Sequence, residues 1–119
     1  MAKIDSFSFG SIVVDGKKYR KDLIFLPDGT VKKRHGGFWM FGDHDIKKEE
    51  IEELHKAGAE LTIVGIGTSS KACVSDEAKS YTQEANLELS ILPSRDAVEK
   101  WNQLLSQGKK VAALIHITC

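Results

Sequence analysis

The sequence predicts an α/β fold in which antiparallel strands come first and a β-α-β-α-β run with parallel pairing follows. Three observations carry this. The first 35 residues hold two hairpin-type turns, Asp15-Gly16 and Pro27-Asp28-Gly29, between short runs that read as strands. The second half alternates apolar runs with amphipathic stretches of helical spacing, and strands separated by helices of this length pair in parallel through right-handed crossovers. The chain also finishes on a strand, since residues 109–119 read Lys-Lys-Val-Ala-Ala-Leu-Ile-His-Ile-Thr-Cys. Most domains end in a frayed polar tail, so a terminus this apolar is expected to be docked inside the sheet.

The elements follow in order. Phe7-Ser8-Phe9 alternates as a strand, and Ile12-Val13-Val14 runs into Asp15-Gly16, which favours the positive φ of a tight hairpin. Tyr19 to Leu26 reads as the return strand, and Pro27 presets the φ of the next turn. Val31 to Arg34 is a third, mostly exposed strand. Ile46, Glu49–Glu53, Ile51, Leu54 and Ala57 then fit one helix, closed by Gly58. Residues 60–66 form a strand. Ser75-Asp76-Glu77 is expected to cap a helix with Ala78, Tyr81 and Ala85 inward. Leu87–Leu92 is the next strand. Ser94 is expected to cap a helix that buries Ala97, Val98, Trp101, Leu104 and Leu105 and ends at Gly108.

Bulk composition narrows the function classes. At 119 residues the chain is expected to be a single domain over 1–119, large enough to remove roughly two-thirds of its unfolded surface from water. Lys+Arg and Asp+Glu both count 17, so the formal charge is zero. A nucleic-acid binder carries a basic excess or stripe, so no nucleic-acid partner is expected. The cluster Lys17, Lys18, Arg20 and Lys21, followed by Lys32, Lys33 and Arg34, reads as a solvated hairpin face. Two cysteines and no secretory leader point to a reducing cytoplasm. The longest apolar run, Val111–Ile115, is far too short to span a bilayer, so no membrane partner is expected.

Parallel strands place their carboxyl ends on one edge, where open α/β sheets bind ligands. Gly65, Gly67, Thr68, Ser69 and Ser70 collect there from one strand's loop, with Cys73 further along, and His116, Thr118 and Cys119 from the last strand. Alternation puts His116 and Thr118 on one face, with Ile115, Ile117 and Cys119 on the other. Gly65-Ile66-Gly67 invites a dinucleotide reading, but as a fingerprint it is weak. Ser70 stands at the third glycine position, the helix starts only after Ser75, and Leu92-Pro93 occupies the place of the ribose-binding acid. The turn reads instead as tight, with open backbone N–H groups able to hold a small anion. No cofactor is expected, and His35, His44, His55 and His116 lack metal-ligand spacing.

Several of these residues have two readings. Cys73 and Cys119 are a nucleophile, a redox pair or two small buried residues; no Cys-x-x-Cys is present. His116 is a core histidine bonded to backbone or an acid/base group. Residues 35–44 place Phe38, Trp39, Met40 and Phe41 between glycines. These side chains either cover a sheet face or form a partly exposed anchor for a protein partner.

The terminus Val-Ala-Ala-Leu-Ile-His-Ile-Thr-Cys resembles the His-x-Thr-Cys ending of a small-domain family. That family takes in archaeal and bacterial proteins of unknown function, the adipogenesis-associated domain-containing protein and a mitochondrial complex I assembly factor. Phe9-Gly10, Pro27-Asp28-Gly29, Val64-Gly65-Ile66-Gly67 and Ala97-Val98-Glu99-Lys100-Trp101-Asn102 leading to Gly108 are similar as well. His44, ahead of Glu49 to Leu54, matches a histidine that the family often carries, while Phe41-Gly42-Asp43-His44 departs from its Gly-Thr-x-His sequence. The resemblance implies a three-layer β/α/β-type sandwich around a mixed sheet, and roles in differentiation and complex assembly.

Two functions from different classes follow. The leading expectation is a cytosolic protein-interaction or assembly module that uses Phe38, Trp39 and Phe41, with its oligomeric state open. The rival is a small-molecule (anion) binder or enzyme. Its pocket would take His44, Gly65, Gly67, Ser70, His116, Thr118 and Cys119, with His116 as acid/base.

Overall fold

The computed structural model describes residues 2–33, 46–69 and 72–118. Along the chain run β1 (Ile4–Ser8), β2 (Ser11–Val14), β3 (Lys17–Tyr19), β4 (Leu23–Phe25), β5 (Val31–Lys33), α1 (Lys48–Lys56), β6 (Leu61–Ile66), α2 (Asp76–Glu84), β7 (Glu88–Leu92), α3 (Ser94–Leu105) and β8 (Val111–His116). They form a three-stranded antiparallel sheet, β1-β2-β3, and a five-stranded sheet in the order β5-β4-β8-β6-β7. In the larger sheet β6 pairs in parallel with β7 and β8, while β4 runs antiparallel to β8 and to β5. The fold is mixed α/β.

The C-terminal strand is central in that sheet, and Val111 to Ile117 are all buried. A strand covered on both faces has no solvent side to keep polar, which accounts for its unbroken apolar run. Its alternate residues serve two cores. Val111, Ala113, Ile115 and Ile117 pack with α3 and the small sheet through Trp101, Ala97, Ile4, Ile12 and Val14. Ala112 and Leu114 pack with α1 and α2 through Ile51, Leu54 and Ala78. The step from β6 to β7 and the step back to β8 lead in opposite directions, so right-handed crossovers put α2 and α3 on opposite faces.

The structure revises several details of the sequence reading. The expected return strand Tyr19 to Leu26 is two strands in two sheets, β3 and β4. Leu23, Ile24 and Phe25 are buried on both faces, which the edge of the small sheet cannot provide, so the chain crosses over at the exposed Arg20 and Lys21. Phe9 is not a strand residue: β1 ends at Ser8, and Phe9 is 63% exposed ahead of Gly10, whose φ is 81°. Ile46 precedes the first helix and bridges Val74. Cys73 is exposed, so its buried reading fails.

Ser75 caps α2 as expected, accepting from the Ala78 amide at 3.1 Å. Ser94, however, is no cap. Pro93 holds that position and Ser94 is the first helical residue. The edge of β1 is closed by α3. The Asn102 side chain accepts from the Ile4 amide at 3.0 Å and donates to its carbonyl at 2.8 Å, as a neighbouring strand would.

Candidate functional site

The site is set by one register. Leu23 of β4 lies opposite Ile115 of β8, so the next residue outward on each strand brings Asp22 against His116. Their side chains meet at 2.7 Å between Asp22 Oδ2 and His116 Nδ1. The second carboxylate oxygen accepts from the Ile117 amide at 3.0 Å. On the other side of the ring, Thr118 Oγ1 lies 3.1 Å from His116 Nε2. Strand alternation is the cause, because residues 116 and 118 share a face.

Chemistry fixes the direction of these bonds. An ionised carboxylate only accepts, so Nδ1 carries the proton; in the neutral ring Nε2 is then the acceptor and the Thr118 hydroxyl donates to it. The order is carboxylate, imidazole, hydroxyl. His116 is fully buried and Asp22 is 7% exposed, while Thr118 is half-buried at the end of the chain of bonds. Water is therefore largely excluded from the carboxylate and the imidazole, and the hydroxyl is the outermost.

The opposite face of the same edge is closed by Ser94. Its hydroxyl donates to the His116 carbonyl and accepts from the Gly67 amide at 2.8 Å, while its own amide donates to the Gly67 carbonyl at 3.1 Å. Gly65 makes room for this. A Cβ there would lie 2.8 Å from Ser94 Oγ, closer than side chains approach, and a tight 3.1 Å from Ser94 Cα. The Thr68 amide donates to the Thr118 carbonyl at 2.8 Å, and the Thr68 hydroxyl adds a bond to the same oxygen at 3.3 Å. Both the Gly67 and Thr68 amides, expected to be open to an anion, are thus engaged within the protein.

The family described as Protein of unknown function (DUF498/DUF598) matches residues 4–116. The chain belongs to this DUF498/DUF598 family. Among solved structures, MT938 is 28% identical with a TM-score of 0.80, each chain covered in full. The conserved hypothetical protein PH1505 from Pyrococcus horikoshii OT3 is 26% identical with a TM-score of 0.83, over 98% of this chain and 99% of that one. An outer membrane protein from Bartonella henselae, 19% identical over 99% and 96% of the two chains with a TM-score of 0.80, shares the fold. The family match supports the wider resemblance read from the sequence; the adipogenesis and complex I assembly names are not reached by these comparisons.

In this DUF498/DUF598 member, the structure brings His116 and Thr118 together and sets Gly65 and Gly67 behind them, against Ser94. His44, Ser70, Cys119, Phe38, Trp39 and Phe41 lie outside the described residues. Asp22 and Ser94 are the members that the sequence reading missed. Asp22 is 94 residues from its histidine, and its one local signal is a carboxylate placed directly before a fully apolar strand. Among the described residues no group of three or more His, Cys, Asp or Glu side chains is arranged to hold a metal ion. No helix of those residues is long and apolar enough to cross a membrane.

Proposed function

We propose that the carboxyl end of the parallel strands is an acid–base site for a small molecule, with His116 as the working base and Asp22 as its orienting carboxylate. One observation carries this reading: the Asp22–His116–Thr118 chain, with contacts of 2.7 and 3.1 Å. A carboxylate on Nδ1 holds the tautomer in which Nε2 takes up a proton, the arrangement used wherever an imidazole activates a hydroxyl or water. Gly65, Gly67 and Ser94 support it by fixing the end of β8 through the His116 carbonyl. The proposal takes residues 1–119 as one domain working in a reducing cytoplasm, on the cysteine usage of the sequence.

Nitrogen-15 NMR of the His116 ring tests it. The neutral ring is expected to be protonated at Nδ1 and bare at Nε2, and added small carboxylates or esters should shift the His116 and Thr118 signals. A neutral ring protonated at Nε2, or signals that ignore every such ligand, would sink the reading.

A second reading, a protein-interaction or assembly module, is favoured by Phe9. This side chain is 63% exposed at a hairpin tip that is tied to β8 by the Gly10 amide donating to the Ile117 carbonyl at 2.7 Å. An exposed aromatic on a fixed turn suits an interface anchor. Under this reading a photo-crosslinking residue at position 9 captures a protein partner, and Phe9→Ser abolishes its co-purification while leaving the melting temperature unchanged.

A further inference from the structure

We infer that a cleft at the amino end of β8 binds a small zwitterion with an apolar side chain, the chemistry of a free aromatic or branched α-amino acid. This site shares no residue with the acid–base reading and goes beyond it.

The cavity has the size and the rigidity such a ligand needs. It measures about 230 Å3, and Ala2, Leu26, Pro27, Trp101, Leu105 and Val111 make its inner surface. An apolar cavity of about 150 Å3 takes up benzene, so this one has room for a phenyl or isobutyl group. Its walls are fixed before any ligand arrives. On one side the Pro27-Asp28-Gly29 turn is tied down, with the Leu26 amide donating to the Thr30 carbonyl at 2.9 Å and the Gly29 amide to the Leu26 carbonyl at 3.0 Å. On the other, Trp101 Nε1 donates to the Ala2 carbonyl at 2.7 Å, and the ring lies against Phe25 at a centroid distance of 5.0 Å. A preformed apolar pocket with a few polar groups at its mouth is the usual form of a small-molecule site.

The mouth decides the class of ligand. Asp28 and Lys109, both exposed, rim it with one charge of each sign. Thr30, first through its side chain and then through its amide, holds the Asp28 carboxyl below its usual value of 3.8, so it is ionised at neutral pH. The Thr30 amide also orients it, donating to Oδ1 at 2.8 Å. A carboxylate offers about four acceptor positions, so Asp28 can still take an ammonium group. Lys109 pairs with no carboxylate among the described residues, and its ammonium can take one from a ligand. A ligand bearing an ammonium alone would meet the like charge of Lys109, and one bearing a carboxylate alone would meet that of Asp28. A zwitterion meets an opposite charge at both, while its side chain leaves water for the apolar interior.

The full-length, nitrogen-15-labelled protein is titrated with L-phenylalanine while the Trp101 indole N–H signal, identified by its loss in Trp101→Phe, is followed. A saturable shift is expected, with a Kd on the order of 1 mM. Phenethylamine and hydrocinnamate carry the same ring with one charge each, and both should bind at least about 5-fold more weakly. Asp28→Asn and Lys109→Gln change exposed side chains, so both variants fold, and each should weaken phenylalanine binding by about 3- to 5-fold. The single-charge ligands should respond in opposite senses. Lys109→Gln tightens phenethylamine and Asp28→Asn tightens hydrocinnamate, because each substitution removes the like charge. No saturable shift of the Trp101 signal up to about 10 mM phenylalanine, roughly ten times the expected Kd, overturns the proposal. Equal affinity for the three ligands overturns it too, as does phenylalanine affinity unchanged in both rim variants. Shifts confined to His116 and Thr118 would place the ligand at the carboxyl end and overturn it as well. The His116 tautomer is read from a different signal, so the acid–base reading stands or falls independently of this result.

Discussion

At the amino end of β8 a cleft of about 230 Å3 opens among Ala2, Leu26, Trp101, Leu105 and Val111, rimmed by Asp28 and Lys109. At the carboxyl end of the same strand Ser94 holds one face and the Asp22–His116 pair the other. The first end is apolar packing, with one buried donor satisfied where Trp101 Nε1 donates to the Ala2 carbonyl at 2.7 Å. The second is a buried network of ionisable and hydroxyl groups. The cleft and the hydrogen-bonded network thus lie at opposite ends of one strand. A cleft shows where a molecule fits, whereas an oriented proton acceptor shows where a bond can change.

The widest break in this comparison comes from His116→Ala. It leaves the Asp22 carboxylate buried without its imidazole donor, and orphaning a buried charged acceptor costs about 3 kcal/mol or more. Urea denaturation is expected to show that loss, and a double-mutant cycle with Asp22→Ala should return a coupling of about 1–3 kcal/mol. A loss below about 0.5 kcal/mol, the level of an ordinary surface change, would mean that the carboxyl end carries no buried network.

Gly65→Ala is the next largest. The added methyl has Ser94 Oγ at 2.8 Å and Ala97 Cβ at 3.2 Å, so α3 must retreat, at about 1–3 kcal/mol. Because Ser94 holds the His116 carbonyl, the His116 ring signals should shift in the same variant. A stable Gly65→Ala protein with unmoved ring signals would separate Ser94 from the site.

Trp101→Phe sharpens the contrast from the other end. It removes the bond to Ala2 and part of the ring that packs on Phe25 at a centroid distance of 5.0 Å. The expected loss is about 1–2 kcal/mol, with the His116 ring signals unchanged. Shifted ring signals would show that the two ends are coupled through β8.

The smallest effect belongs to the rim of the cleft. Hydrogen bonds from Thr30, first its side chain and then its amide at 2.8 Å, hold the Asp28 carboxyl below its usual value of 3.8. A carboxyl depressed by folding adds stability above its unfolded pKa, and that stability is lost as pH falls through the folded value. Wild type should therefore exceed Asp28→Asn slightly at neutral pH, with the gap closing in acid. A gap that widens in acid would reverse the assigned sign.

What the sequence determined by itself was the local order: the hairpin turns at Asp15-Gly16 and Pro27-Asp28-Gly29, the Ser75 cap, the helix faces around Leu54 and Trp101, and a last strand too apolar to lie outside the sheet. These depend on periodicity, φ preference and capping, which act over a few residues. It also placed His116 and Thr118 on one face, because the two-residue repeat of a strand is local. The split of Tyr19–Leu26 between two sheets was decided by tertiary structure, since only packing tells a strand buried on both faces from the end of a hairpin. So was the replacement of a capping role for Ser94 by one that joins β6, β8 and α3. Asp22 is the sharpest case. Its carboxylate reaches His116 only through the β4–β8 register, and pairing between strands so distant in sequence is fixed by burial of both apolar faces, a property of the assembled sheet that no stretch of the chain contains.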